Sequence, residues 1–128
     1  DNGEANAAIA LLERGEMRNP REFNYPFLQG LIRFLSRSDY LGAAACFERA
    51  LTKPIVEHAE QPRFARTMAA RMYQEAGQDD LALNLWRALE AQSREAMVIE
   101  IARRNIQRIQ AERRHARARV FGRRKKTH

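Results

Sequence analysis

The side chains in this 128-residue chain best suited to metal ligation or nucleophilic attack are Cys46, His58, His115 and His128. Zinc ligands come in short-spaced groups that converge on one ion, and a cysteine nucleophile needs a histidine within hydrogen-bond reach. These four lie far apart in sequence. Cys46 also falls between two packing positions, Ala43 and Phe47, where a buried, inert thiol is expected. The acidic pairs Asp79–Asp80 and Glu57–Glu60 have the residue types for acid–base chemistry, but their places suit helix-start charge and a solvated connection. Gly122–Arg123–Arg124–Lys125–Lys126–Thr127 has the residue types of a phosphate cradle without its loop or following helix. The expectation is a chain that is not an enzyme and has no metal site, no cofactor and no small-molecule substrate.

Charge is the chemistry that remains. Net charge is +7, unevenly spread. Residues 1–60 hold seven Arg/Lys against nine Asp/Glu, residues 61–100 five against six, and residues 101–128 eleven against one. Such density attracts phosphates by releasing their counterions, in a salt-sensitive way. Candidate anion-binding residues are Arg113, Arg114, Arg117, Arg119, Arg123, Arg124, Lys125 and Lys126, with Arg103 and Arg108 extending the patch. Their mutual repulsion is expected to keep the end of the chain mobile until an anionic partner orders it. That partner would be nucleic acid, an acidic membrane surface or an acidic protein. Phe121 is the one aromatic nearby, so base-specific reading is not expected.

The elements that position these groups are helical. The chain is 45% hydrophobic and 30% charged, with four prolines and six glycines, and good helix formers dominate. No stretch approaches the roughly 18 to 20 apolar residues of a membrane span, and no secretory leader opens the chain. It begins on Asp1, as an excised or processed piece would. A soluble segment is expected, cytoplasmic or peripheral to a membrane. The first helix reads as residues 4–17, stopped by Asn19–Pro20. The second runs 24–37, with Asn24 as cap and Pro26 in the first turn. Ser38–Asp39 turns and caps a third helix, 40–52, which Pro54 ends. Pro62 opens a fourth helix through Ala76, Gly77 closes it, and Asp79–Asp80 start a fifth, 79–92. A sixth begins near Ser93 and ends about Ala111, with Ile99, Ala102, Ile106 and Ile109 on one stripe.

Three of these helices share a pattern of small and bulky residues at steps of four and three: Ala8–Leu12–Gly15, Ala43–Phe47–Ala50 and Ala82–Trp86–Leu89. A turn former (Gly3, Ser38, Gly77) precedes each by five residues, and the triplets recur after 35 and 39 residues. Recurrence in this range marks stacked helical repeats. The chain here resembles the tetratricopeptide repeat family, whose unit is a helix hairpin of about 34 residues. Residues 24–57 carry the likeness best, with Phe27 and Phe34 at the aromatic positions of the first helix and Ala43, Phe47 and Ala50 in the second. The family's leucine–glycine pair is inverted as Gly30–Leu31. Residues 63–96 keep Tyr73, Gly77, Ala82 and Trp86, with Arg66 and Leu89 as departures. Residues 3–20 supply only the second helix of a first repeat.

The resemblance implies antiparallel helical hairpins stacked as a short right-handed α-solenoid over residues 1–111. A capping helix at 94–111 would close the stack, and 112–128 would form a basic extension. It also implies a non-catalytic scaffold or adaptor, a subunit or docking piece of a larger assembly, with a partner peptide or helix lying along the concave face. Projected groove positions are Leu28, Ile32, Leu35 and Ser36, then Thr67, Arg71, Gln74 and Glu75, then Asn105 and Arg108. The carboxylate clamp of chaperone-tail binders is not implied, since its positions read Leu28, Ile32 and Met68. With the first hairpin incomplete, helix 4–17 is expected to show an apolar flank that preceding chain or another molecule covers.

Overall fold

Runs of Ala, Leu, Arg and Glu between proline and glycine breaks fold into helices throughout the computed structural model, which describes residues 2–126. Among these residues the elements are α1 (Asn2–Arg18), α2 (Asn24–Arg37), α3 (Tyr40–Leu51), α4 (Gln61–Glu75), α5 (Asp79–Gln92) and α6 (Ala96–Lys126). Two compact units divide the chain within α5, Asp1–Leu85 and Trp86–His128.

In the first unit each helix packs on the next, α1 on α2, α2 on α3 and α3 on α4. Phe27 is the hub. Its ring stacks on Phe23 at 5.1 Å and meets Phe47 of α3 at 5.8 Å and Phe64 of α4 at 5.9 Å. The backbones come close because small residues face each other: Ala43, Ala44, Ala50, Ala65, Ala69 and Ala70 have no exposed surface. At Gly30 a Cβ would lie 3.0 Å from the Phe47 ring and 3.2 Å from Cys46 Cβ, so glycine sets the approach of α2 to α3. A side chain at Gly15 would run into the Tyr25 ring. Tyr73 of α4 donates to Glu48 of α3 at 2.7 Å, and burial together with this carboxylate pushes its phenol pKa up to about 12.

The turns follow from local chemistry. Asn24 is the first residue of α2, and the cap position belongs to Phe23, which has no side chain to donate or accept. What holds Phe23 is a backbone exchange with the loop after α3: Phe23 N donates to Ile55 O and Ile55 N to Arg21 O, both at 2.9 Å. Asp39 caps α3, accepting from Gly42 N at 3.0 Å, and pairs with Arg33 at 3.1 Å. Two helices end through a left-handed residue, α2 at Ser38 (φ 50°) and α4 at Gly77 (φ 79°). Glycine adopts this conformation without strain, whereas serine there carries a cost of about 1–2 kcal/mol. Ser38→Gly should therefore raise stability by about 0.5 kcal/mol, the remainder being offset by the freer unfolded chain. Thermal melts followed by circular dichroism measure this.

In the second unit Trp86 and Leu89 of α5 and Ala102 and Ile109 of α6 are buried, and Arg103 reaches Glu90 at 3.3 Å. Ile99 and Ile106 are half-buried on the same stripe. The end expected near Ala111 is corrected: α6 continues to Lys126. Loss of the apolar stripe ends one-sided burial, not the helix. Beyond Ala111 no proline occurs and no glycine before Gly122, and arginine and alanine keep helical propensity high. The pairs Arg104–Glu100 at 3.1 Å and Arg108–Glu112 at 4.0 Å span single turns and add modest support.

Candidate interaction surfaces

The row Leu28, Ile32 and Leu35 occupies one face of α2 at steps of four and three. Leu28 is 41% and Leu35 72% exposed, Ser36 is exposed, and Ile32 is partly covered. The Phe64 ring at the start of α4 meets Phe27 of α2. On α4, Arg71 and Glu75 are exposed and Thr67 and Gln74 partly so, while Met68 is buried. The Thr67 hydroxyl donates to Arg63 O at 3.2 Å.

Phe64 lies one turn before Thr67 and is 47% exposed. Sequence reasoning passed over it, although an aromatic three residues before a projected groove position shares that helix face. Eight of the projected groove positions thus lie in the first unit, four on α2 and four on α4. Asn105 and Arg108 belong to the second unit, where with Ile101 and Arg104 they line a depression of about 360 Å³ on α6.

On α1, Ala5 and Ile9 are buried while Leu11 and Met17 remain largely exposed. Toward the end of that helix sits a polar cluster that the apolar pattern concealed. Glu16 accepts from Arg49 Nε at 2.8 Å, from Gln29 Nε2 at 2.9 Å and from Lys53 at 3.2 Å. Arg49 also donates to Gln29 Oε1 at 3.0 Å, which satisfies an amide side chain on an almost fully buried residue. Burial by itself raises the Glu16 pKa, but the donors from Arg49, Gln29 and Lys53 more than offset it and hold the carboxyl at about 2. A glutamine inside the apolar run Phe27–Leu31 was the available signal, because a buried amide needs partners. A depression of about 400 Å³ opens beside the cluster, bordered by Arg33, Cys46 and Arg49. Its two arginines are already paired, with Asp39 and Glu16. Cys46 is a buried free thiol.

Of the anion-binding candidates, Arg114, Arg117 and Arg119 are exposed and Arg113 partly so, all on the distal part of α6. The side chains of Arg123, Arg124, Lys125 and Lys126 lie outside what the structure describes, as does His128. Val120 is 53% and Phe121 61% exposed. With Ala116 and Arg117 they line a mostly apolar depression of about 360 Å³. Among the described residues no helix is long and apolar enough to cross a membrane. No family model, curated protein or solved structure matches the chain.

Proposed function

We propose that this chain is a non-catalytic interaction module of tetratricopeptide type, an adaptor or subunit whose helix hairpins form a short right-handed solenoid. The reading is carried by the row Leu28–Ile32–Leu35 on α2, with Leu28 and Leu35 exposed, and by the exposed Phe64 of α4, whose ring meets Phe27 of α2. Apolar side chains exposed in one patch are costly in water, and covering them with a partner lowers the free energy. The exposed polar positions Arg71 and Glu75 follow Phe64 on one face of α4 and would give a partner its orientation. A partner helix with apolar residues at steps of three and four fits such a surface, as in other helix-in-groove complexes.

The test is quantitative capture from cell extract with wild type and with Leu28→Ser/Leu35→Ser. Leu35 is largely exposed and Leu28 more than half covered, so stability should fall by about 1–2 kcal/mol, and a thermal melt confirms that the variant remains folded. The double variant is expected to lose most of the protein partners that wild type retains, while Arg114→Gln/Arg117→Gln/Arg119→Gln keeps them. Equal capture by wild type and the leucine variant would reject the groove.

A second reading, binding of an anionic partner through the basic segment, is favoured by a separate observation. The basic residues continue a regular helix, so their spacing is set along its surface. This reading adds to an adaptor role and does not compete with it.

A further inference from the structure

We infer that the distal part of α6 is a docking helix for the surface of an anionic phospholipid bilayer, lying in the plane of the headgroups. The inference rests on the reading of the basic segment as an anion-binding element and names its partner. Between Arg113 and Lys126 stand eight basic residues and no acidic one, while the first 100 residues hold more acidic than basic side chains. Attraction to a negative surface is therefore confined to one end of one helix.

Charge alone does not separate lipid from nucleic acid. Val120 and Phe121 do. They stand between Arg119 and Arg123, with basic residues on both sides, and more than half of each is exposed. Ala116 and Val120 form one row at a step of four, and Arg117 and Phe121 the adjacent row, with the depression between them. A helix that only tracked phosphates along a duplex would gain nothing from an exposed valine, and one phenylalanine makes no stacking platform for bases. A bilayer interface uses both features at once. The apolar side chains enter the boundary between headgroups and acyl chains, and arginines beside them lay their stems along it while their guanidiniums reach phosphate. With no helix among the described residues suited to span a bilayer, the fitting geometry is surface association.

The experiment is co-sedimentation of the full chain with phosphatidylcholine vesicles and with phosphatidylcholine–phosphatidylserine vesicles, at low and physiological salt. Binding to duplex DNA and to single-stranded RNA is measured in parallel. Variants are Arg114→Gln/Arg117→Gln/Arg119→Gln and Val120→Ser/Phe121→Ser, all at exposed positions, with helix content checked by circular dichroism. Wild type should bind the phosphatidylserine vesicles alone among the two. The arginine variant should lose at least about tenfold, given roughly fivefold per basic residue. The Val120/Phe121 variant should lose about tenfold for vesicles and little for nucleic acid. If it binds vesicles as wild type does, or if nucleic acid binds and vesicles do not, the lipid assignment is overturned and the anionic reading survives. If neither vesicles nor nucleic acids bind, both fall.

Discussion

Replacing Ala43 with glutamate is expected to abolish cooperative folding of the first unit, while the same replacement at Ala45 changes its stability by no more than about 0.5 kcal/mol. The two positions are two residues apart on α3 and face opposite ways. Ala43 has no exposed surface and lies on the stripe of Phe47 and Ala50, which have none either, whereas Ala45 is exposed. Glutamate and alanine differ little in helix propensity, so the comparison isolates burial. At Ala43 the added bulk costs about 1–3 kcal/mol in overpacking, and an unpaired carboxylate among apolar side chains costs several more. The sum approaches the whole stability of a small domain, about 5–15 kcal/mol. Ala82→Glu should act in the same way, since Ala82 is equally buried. Urea and thermal melts by circular dichroism decide the matter. Similar melts for the Ala43 and Ala45 variants would mean that the repeat register is wrong.

The small-and-bulky stripes were legible because small residues at helical spacing leave a periodic trace in the sequence. The second and third triplets are buried along their length, and the first, on α1, is only half-buried, as suits a helix with Leu11 and Met17 open to water. Turn chemistry was legible for the same reason, in that Ser38, Asp39 and Gly77 each have a specific backbone task. Other features were not. The Phe23–Ile55 backbone exchange joins two loops far apart in sequence and depends on no side chain. The end of α6 was misplaced because periodicity reports burial, and a solvated helix has no periodicity to report. The exposed Leu28 and Leu35 of α2 followed from helical spacing, whereas the contact of Phe64 with Phe27 left no trace in the sequence.

The Glu16 cluster shows the same limit and gives an acid-sensitive expectation. Its members come from α1, α2, α3 and the turn beyond α3, so no local pattern could assemble them. In the unfolded chain the Glu16 carboxyl titrates near its ordinary value of 4.5, and in the folded protein near 2. Between these values the unfolded state binds more protons, so stability falls as pH drops through that window. The contribution is complete above pH 4.5. A depression of this size corresponds to about 3 kcal/mol, reduced toward about 2 kcal/mol because the Arg49 side chain is 41% exposed and solvent screens part of the attraction. Glu16→Gln should therefore lower stability by about 2 kcal/mol at neutral pH, since Arg49 and Lys53 then face each other without their common anion. As pH falls below 4.5 wild type loses the same interaction, and the urea-unfolding free energies of the two proteins should converge near pH 2. The gap between the two curves therefore reports on Glu16. A gap that stays constant from neutral to acid pH would show that the carboxylate is not held by its charge, and that Glu16→Gln acts through packing alone.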